Sequence, residues 1–399
     1  MTAAVHPALA RRGQGICASG SFWMPTRAEF GRGVAERCGV EARALGDGNV
    51  LVVTDPGVHE AGLCEPILSS LRSEGMTAAV FDHVQGNPRD VHCLEGADVA
   101  RDLGVALVVG VGGGSAIDTA KCIALLVRNG GHPRDWEDFG ALRRAPIPTI
   151  AVPTTAGTGS EVSPSAIITD TERRKKMNLF DPRICPDVAL VDPDLTFSMP
   201  ARLTAATGMD ALSHAVDSLH CRLANPASDA LALEGARLVA LYLERAVADG
   251  SDVEARCGMA QASLTAGLAV GVTDVSGCHC LAEAIGAVYD HPHGVCCAAT
   301  MPLIMDFNVE VVVGRYARLA AAFGVATGAM SQDEAAREAI AYVRGLNERL
   351  GIPSISRLIE LDDLDPLAEK AAANTSAPSN PREAGVEEFR AMFAAGLEA

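Results

Sequence analysis

Short apolar runs alternate with amphipathic stretches through the first half of the chain. The first three runs occupy residues 50–53, 78–81 and 105–109, and helical periodicity extends to about residue 73 and again over 89–103. Runs of four or five apolar residues are typical of strands that are buried on both faces. Because each intervening stretch is long enough to connect two parallel strands, the pattern predicts βαβ units around a mostly parallel sheet.

Two further strand-like segments predict a hairpin. They cover residues 165–169 and 177–180, and the strongly cationic stretch 170–176 joins them. Lys176 lies where the second strand begins and could reach an anionic cofactor. The alternative is a solvated turn tip, which is the more common role of a charged turn.

The character of the chain changes around residues 199–200. Beyond this point nearly all of the sequence is rich in Ala and Leu and has helical periodicity. We therefore predict an α/β domain over 21–199 and an all-α domain over 200–399. Residues 1–20 are rich in Ala, Arg and Gly without periodicity, and we interpret them as a poorly ordered extension. A chain of 399 residues also exceeds the size at which a single hydrophobic core usually stops growing.

A glycine-rich segment connects the third apolar run to the next predicted helix. Gly112-Gly-Gly-Ser115 opens a helix that continues to about Val127. Glycines let backbone N–H groups approach a ligand, and the helix N-terminus carries partial positive charge, so a phosphate group is the expected occupant. The small-residue loop 153–160 could cover the same ligand with hydroxyls and amides. A tight strand-to-helix turn without a ligand is the alternative.

Four residues of the second half have the composition of a metal site. Asp210 and His214 are four apart, so they leave the same face of a helix one turn apart, and His279 and His293 follow later. One carboxylate and three imidazoles suit a first-row divalent ion and leave room for a water or a substrate oxygen. Taken singly, each residue is also explained as a helix-surface contact or a turn residue.

Neighbouring residues compete with this ligand set. His291 is as plausible as His293 on spacing alone. Cys278 and Cys280 flank His279, but on a helix they point about 100° to either side of it. We interpret both cysteines as buried, small apolar residues, the more common environment of a free cysteine.

Composition narrows the possible partners. The formal net charge is −17, with 33 Lys and Arg against 50 Asp and Glu, which argues against binding to nucleic acid or to an anionic membrane surface. Twelve cysteines without a CxxC pair favour reduced thiols in the cytoplasm. No signal peptide is readable, and the longest apolar run, 104–127, is interrupted by glycines and charges, so no transmembrane helix is predicted.

Taken together, these motifs give the chain a family resemblance. It resembles the iron-containing (group III) alcohol dehydrogenase family from about Phe22 to residues 379–383. The matching motifs are Gly112-Gly-Gly-Ser115 with Asp118 and Lys121, Pro153-Thr-Thr-Ala-Gly-Thr158 with Glu161, Gly208-Met-Asp-Ala-Leu-Ser-His214, and Pro292-His-Gly294 with His279 fourteen residues before His293. The resemblance implies a dehydroquinate-synthase-like nucleotide-binding fold followed by an all-α metal-binding domain.

The resemblance also implies a ligand set. In this family a metal ion, usually iron(II) and in some relatives zinc, is held at the positions matching Asp210, His214, His279 and His293, facing a nicotinamide across the interdomain cleft. The family ligand lies between Pro and Gly, which selects His293 over His291. His293 is accordingly also a candidate catalytic residue.

Cofactor choice follows from Asp55, which matches the family position that contacts the adenosine ribose. A carboxylate there accepts the ribose hydroxyl and repels a 2′-phosphate, so we predict NAD as the cofactor. The alternative is that Asp55 only caps the helix that follows. The other predicted cofactor-binding residues are Asn87, Gly112, Gly113, Gly114, Ser115, Asp118, Thr154, Thr155, Thr158 and Lys176.

The sequence departs from the family pattern at Glu283. Many relatives carry a histidine four residues after the third ligand, where this chain has a carboxylate. Glu283 is the second candidate catalytic residue, as a proton relay. It could instead hold His279 through a hydrogen bond or form a buried salt bridge, and these three roles stay open.

The expected function is hydride transfer between NAD and a small alcohol, diol or hydroxy acid, with iron(II) or zinc bound. Among enzymes, the alternatives are a zinc polyol dehydrogenase of the glycerol type and a lyase resembling dehydroquinate synthase. Few Lys and Arg surround the metal-site sequence, which disfavours the lyase. A catalytically silent metal-binding protein is disfavoured by the intact glycine segment and ligand set. The resemblance suggests a homodimer or larger homo-oligomer.

Overall fold

The computed structural model describes residues 22–137, 140 and 142–398. Contacts divide this part of the chain into two compact units, one spanning Met24–Ser198 and one extending from Met199 onward. The extension predicted over residues 1–20 lies outside the described residues.

The first unit is built on a parallel sheet. Its strands and those of an accompanying hairpin are β1 (Arg27–Phe30), β2 (Asn49–Val53), β3 (Ala78–Phe81), β4 (Val105–Gly112), β5 (Thr149–Pro153), β6 (Ser165–Asp170), β7 (Lys175–Phe180) and β8 (Val188–Val191). The six-stranded sheet has the order β1-β8-β5-β4-β2-β3, with every neighbouring pair parallel. Strands β6 and β7 form the antiparallel hairpin. The predicted α/β fold with a mostly parallel sheet is confirmed.

Five helices cover the two faces of this sheet. They are α1 (Cys38–Leu45), α2 (Pro56–Glu60), α3 (Glu65–Ser73), α4 (Asp90–Asp102) and α5 (Gly114–Asn129). Val50 and Val52 of β2 pack in one core cluster with Ile67 of α3, whereas the alternate residues Leu51 and Val53 pack in another cluster with side chains of α4 and α5. Since both faces are covered, every side chain of the run must be apolar, which explains why the sequence does not alternate.

The second unit is helical. Its helices are α6 (Ala201–His220), α7 (Pro226–Ala248), α8 (Val253–Gly271), α9 (Gly277–Tyr289), α10 (His293–Ala322), α11 (Gln332–Arg349), α12 (Leu364–Ala372) and α13 (Val386–Glu398). The helix break predicted at 225–226 is the start of α7. There the side chain of Asn225 forms a capping box and accepts hydrogen bonds from two backbone N–H groups. The predicted helical second half is confirmed.

Helix α10 is, within the described residues, the one helix long and apolar enough to cross a membrane. Within its most apolar window, 67% of the residues are buried inside the protein. This burial is the property of a core helix, whose apolar surface packs against neighbouring helices.

Candidate active site

Three helices of the second unit bring the predicted metal ligands together. Helix α6 carries Asp210 and His214, the first turn of α9 carries His279, and α10 begins at His293. The His214 and His279 rings stack with centroids 4.8 Å apart, and the His279 and His293 centroids are 5.3 Å apart. Nε2 of His293 lies 3.7 Å from Oδ1 of Asp210. Side chains that are more than eighty residues apart in sequence therefore converge on one point.

Two polar atoms at this point make no hydrogen bond with any described residue. They are Oδ1 of Asp210 and Nε2 of His279, and both side chains are only 2% exposed. A buried polar atom without a partner costs about 1–3 kcal/mol. A divalent ion bound between them would give each atom the partner that it lacks, so the residues present fit a metal ion.

The charge state of Asp210 also suits an ion. Burial alone would raise the pKa of its carboxyl, but the neighbouring His214, His293 and His279 favour the carboxylate, and the pKa lies below its ordinary value. Asp210 is therefore ionised at neutral pH, as metal binding requires.

His279 is oriented by a residue that the sequence analysis did not single out. Asp217, one more turn along α6, accepts a hydrogen bond of 2.8 Å from Nδ1 of His279, and it also accepts from the backbone N–H and the hydroxyl of Ser276 at 2.8 Å each. His220 contacts the same carboxylate at 3.0 Å and Tyr316 through its other ring nitrogen at 2.7 Å. With Nδ1 donating to Asp217, Nε2 of His279 is the ring nitrogen that would bind a metal.

The pKa of Asp217 reflects these contacts. Burial alone would raise it, but the hydrogen bonds from His220 and His279 outweigh burial and hold the pKa far below its ordinary value. A spacing of seven residues from Asp210 places Asp217 on the same helix face, which is the sequence signal that could have identified it.

Cys297 is the second residue that the sequence analysis missed. Ligand atoms of Asp210, His279, His293 and Cys297 all lie within 4.8 Å of one another. Cys297 follows His293 by four residues on α10, so the two side chains share a helix face. Cys278 and Cys280 are also completely buried, as predicted, and the sulfur of Cys278 lies within 4.8 Å of ligand-type atoms of Asp217 and His279.

His291 lies apart from this cluster. Its Nε2 interacts with the backbone carbonyl of Leu358 at 3.2 Å, and its ring stacks on Tyr289. The structure therefore distinguishes the two histidines that spacing alone left equivalent, and it places His293 in the cluster.

Two of the three roles considered for Glu283 do not match its contacts in the structure. Its Oε2 accepts a hydrogen bond of 2.7 Å from the amide of Asn374, a neutral partner where a salt bridge had been considered. The expected support of His279 is also wrong for Glu283, because Asp217 occupies that position. The role of proton relay stays a prediction.

The glycine segment of the first unit meets the small-residue loop after β5. Gly112 ends β4 with a φ of 150°, a conformation that favours glycine. A Cβ atom added to Gly114 would lie 2.8 to 3.0 Å from the side chain of Thr158, and one added to Gly113 would lie 3.3 Å from Thr155. The backbone N–H of Thr154 donates to the carbonyl of Gly112 at 2.9 Å. The two predicted parts of the cofactor site are thus in contact.

Asp118 and Lys121 of α5 make hydrogen bonds to the end of the small-residue loop and to the residues that follow it. Lys121 is 1% exposed, and its ammonium group donates to Ser160, to Ser163 and to the carbonyl of Ser165. Asp118 accepts from the Ser160 hydroxyl and from the backbone N–H of Ile167. Each carboxylate oxygen thus accepts a hydrogen bond within the unit, and the predicted contact of Asp118 with a cofactor stays a prediction.

The remaining predicted cofactor residues lie at the edges of the loop or beyond it. Asp55 caps α2 by accepting from the backbone N–H of Val58 at 3.0 Å, as the alternative interpretation proposed. Its second oxygen is 3.5 Å from the position of a Cβ added to Gly112, so Asp55 also borders the glycine segment. Ser115 lies in the first turn of α5, and Asn87 adopts a left-handed conformation with φ of 54°. Lys176 pairs with Thr169 in the hairpin.

A parallel sheet with a glycine-rich strand-to-helix segment, followed by helices that gather three histidines and an aspartate, is typical of a metal-dependent dehydrogenase. Sequence comparison gives the specific family. The chain belongs to the iron-containing alcohol dehydrogenases: the family model of that name matches residues 25–193, and the model of the family's C-terminal region matches residues 204–397. The predicted resemblance is confirmed.

Characterised relatives cover nearly the whole chain. It is 37% identical over 371 residues to the NAD-dependent methanol dehydrogenase of Bacillus methanolicus, with 92% of this chain and 97% of that protein covered. It is 37% identical over 364 residues to the 1,3-propanediol dehydrogenase of Klebsiella pneumoniae, with 90% and 93% covered. The crystal structure of a 1,3-propanediol oxidoreductase matches with a TM-score of 0.92 at 36% identity, covering 95% of this chain and all of that one.

Proposed function

We propose that this protein is an NAD-linked, metal-dependent alcohol dehydrogenase that oxidises a small primary alcohol or diol and reduces the corresponding aldehyde. The observation that carries the proposal is the cluster of one carboxylate and three imidazoles, in which two buried ligand-type atoms make no hydrogen bond with the described residues. The family match favours a dehydrogenase over the lyase considered above.

Asp210, His214, His279 and His293 would hold the ion, which is iron(II) by family, with zinc as the alternative. Such an ion acts as a Lewis acid, which favours ionisation of an alcohol and polarises an aldehyde. The chain's own contribution is to fix the ligands before the ion binds. Asp217 holds the imidazole of His279 in the tautomer that leaves Nε2 available, and the packing of α6 against α10 sets the distance between Asp210 and His293.

NAD is the cofactor that the first unit would hold. The glycine segment presents the N-terminus of α5, and the hydroxyls of Thr155 and Thr158 adjoin it, so that a diphosphate would meet backbone N–H groups and hydroxyls. Asp55 next to Gly112 supports NAD over NADP because a carboxylate repels a 2′-phosphate. NAD supplies a nicotinamide, the group that accepts a hydride from the carbon of an alcohol.

The substrate class is proposed from the relatives. Their names specify methanol and 1,3-propanediol, which share an unhindered primary hydroxyl. Glu283, four residues after His279 on α9, is our candidate for the group that takes the hydroxyl proton or passes it on. Its hydrogen bond from Asn374 would hold the carboxylate in a defined orientation.

We also propose a cytoplasmic homo-oligomer. All eleven cysteines of the described residues are free thiols, which suits a reducing compartment. The edge strand β1 exposes 58% of Phe30, and an exposed edge is a surface on which a second copy could pair. Light scattering of the purified protein measures the assembly: a monomer at micromolar concentration would contradict this part of the proposal.

The experiment that tests the function measures NADH formation with short primary alcohols and diols. The enzyme is stripped of metal and reconstituted separately with iron(II) and with zinc. Activity should return with one of the ions and be lost in His293→Ala, while His291→Ala, altered in a neighbouring histidine outside the cluster, should remain active. Turnover that is unaffected by metal removal, or equal in the two variants, would reject the proposal.

A further inference from the structure

The thiol of Cys297 occupies a position at the metal cluster that simple core packing does not explain. The side chain is completely buried, and its Sγ lies 3.5 Å from Nε2 of His293. The two ligand-type atoms without hydrogen bonds, Oδ1 of Asp210 and Nε2 of His279, belong to the same group of atoms within 4.8 Å of one another. A sulfur atom that packed only against apolar side chains would not be expected among these three polar side chains.

The separations match those of ligands on one ion. Zinc binds sulfur at about 2.3 Å and imidazole nitrogen or carboxylate oxygen at about 2.0–2.2 Å, so at angles of about 90–120° two neighbouring ligands of one ion lie about 2.9–3.8 Å apart. In the structure the separation between Cys297 Sγ and His293 Nε2 is 3.5 Å, and that between His293 Nε2 and Asp210 Oδ1 is 3.7 Å. Shifts of a few tenths of an ångström would place these atoms around one ion.

The backbone also constrains this arrangement. Gly294, next to His293, lies so close to α6 that an added Cβ would be 2.2 Å from the carbonyl oxygen of Ala206. Helix α10 therefore approaches α6 closely at its first turn, and Cys297 follows in the second turn on the same face as His293. The thiol is consequently directed at the cluster by the same close contact that positions His293.

We propose that Cys297 is an additional, thiolate ligand of the metal ion and that it raises the preference of the site for zinc over iron(II). The inference rests on the proposed metal site of Asp210, His214, His279 and His293. On coordination, the sulfur forms a bond to the ion and its proton leaves to solvent, with no change in oxidation state. Thiolate is a soft ligand that selects zinc over harder ions, which a set of imidazoles and a carboxylate does less strongly.

Cobalt(II) reports directly on a sulfur ligand. A bond between thiolate and cobalt(II) absorbs in the near ultraviolet, whereas imidazole and carboxylate ligands do not produce this band. The full-length protein, stripped of metal, is titrated with cobalt(II) as the wild type and as Cys297→Ser. The matched control is Cys280→Ser, which alters an equally buried cysteine on α9 that lies outside the cluster. The wild type and the control should show the band, and Cys297→Ser should lack it.

Metal competition provides the second measurement. Protein is equilibrated anaerobically with zinc and iron(II), and the bound metals are quantified. Loss of an outer partner of a ligand already costs about 10- to 100-fold in metal affinity, so loss of a ligand should lower zinc affinity by at least about tenfold. The ratio of bound zinc to iron should fall in Cys297→Ser and stay unchanged in Cys280→Ser.

Two outcomes would overturn the inference. One is the absence of the near-ultraviolet band in the wild type, and the other is its persistence in Cys297→Ser together with an unchanged zinc-to-iron ratio. The variant Asp210→Ala distinguishes a failure of the thiolate inference from a failure of the proposed metal site. If Asp210→Ala abolishes metal binding while Cys297→Ser changes nothing, the metal site stands and only the thiolate ligand is rejected; if Asp210→Ala binds metal normally, the proposed site itself is wrong.

Discussion

Asp217 connects the stability of the helical unit to its metal affinity, so replacing it is a stringent test of the site. The carboxylate accepts hydrogen bonds from Nδ1 of His279, from the backbone N–H of Ser276 and from the Ser276 hydroxyl, each at 2.8 Å. All of these groups are buried, with Ser276 and Asp217 completely inaccessible and His279 2% exposed. The donors that lose their acceptor on substitution are therefore buried away from bulk water.

Two substitutions at this position should differ in severity. In Asp217→Asn the fixed backbone donor of Ser276 orients the amide oxygen toward itself and toward His279, so the hydrogen bond survives but the negative charge is lost. In Asp217→Ala the N–H groups of Ser276 and His279 lose their acceptor, at a cost of about 1–3 kcal/mol each. The imidazole is then free to rotate or to carry its proton on Nε2, where it blocks the metal.

The expected losses of metal affinity follow from this difference. Partners of metal-bound histidines are worth about 10- to 100-fold in affinity, and we expect about tenfold for Asp217→Asn and about 100-fold for Asp217→Ala. These factors correspond to about 1.4 and 2.8 kcal/mol. Affinity is measured by competition with a chromophoric chelator, and folding is checked by circular dichroism and thermal unfolding of the metal-free protein.

Asp229→Ala is the matched control. Asp229 is also a buried aspartate of the helical unit, and it accepts from Arg315 and Arg318 without contacting a metal ligand. It should lose stability while retaining metal affinity. A folded Asp217→Ala protein that binds zinc as tightly as the wild type would refute the reasoning, since Nε2 of His279 would then not depend on its partner at Nδ1.

Three other substitutions test separate parts of the structure. Burial raises the pKa of Glu161 from an ordinary 4.5 to about 6. The free energy of unfolding should therefore fall by up to about 2 kcal/mol as pH rises through this interval. Thermal unfolding of Glu161→Gln, measured against pH, should lack this fall. Gly294→Ala places a Cβ 2.2 Å from the carbonyl of Ala206, and denaturant unfolding should show a loss of about 1–3 kcal/mol together with weaker metal binding. Glu283→Gln keeps the hydrogen-bonding shape toward Asn374 but cannot accept a proton, and steady-state kinetics should show kcat lowered about 100-fold at unchanged metal affinity.

Each of these expectations has an outcome that would contradict it. A pH profile of Glu161→Gln that parallels the wild type would mean that Glu161 is not the group that titrates. Full stability of Gly294→Ala would mean that α10 can move away from α6 at no cost. An unchanged kcat in Glu283→Gln would leave this carboxylate as a structural partner of Asn374.

Local patterns in the sequence were sufficient to predict the architecture. The run at 50–53 is apolar throughout because β2 is covered on both faces, and this condition is visible without knowledge of the neighbours. The break at 225–226 combines an N-cap side chain with a proline in the first helical turn, both of which act within a few residues. The ligand-type residues Asp210 and His214 were also recognisable, because four residues correspond to one helical turn.

Only the tertiary structure assigned roles that depend on contacts distant in sequence. Asp118 was recognisable only as part of a cofactor motif, and the structure adds that its oxygens accept hydrogen bonds from Ser160 and Ile167, more than forty residues away. Glu283 had the correct helical spacing to support His279, yet Asp217, on another helix, occupies that position.

The role of Cys297 likewise could not be predicted from sequence, because it depends on contacts distant in the chain. In sequence it is one of twelve cysteines, and its spacing of four residues from His293 indicates a shared helix face but not a place beside Asp210 and His279. The close packing of α10 on α6 brings its sulfur beside a histidine and an aspartate. Periodicity and capping act over a few residues and can therefore be predicted from sequence. The partner of a buried polar atom depends instead on how the helices pack. The metal chemistry of this chain follows from that packing.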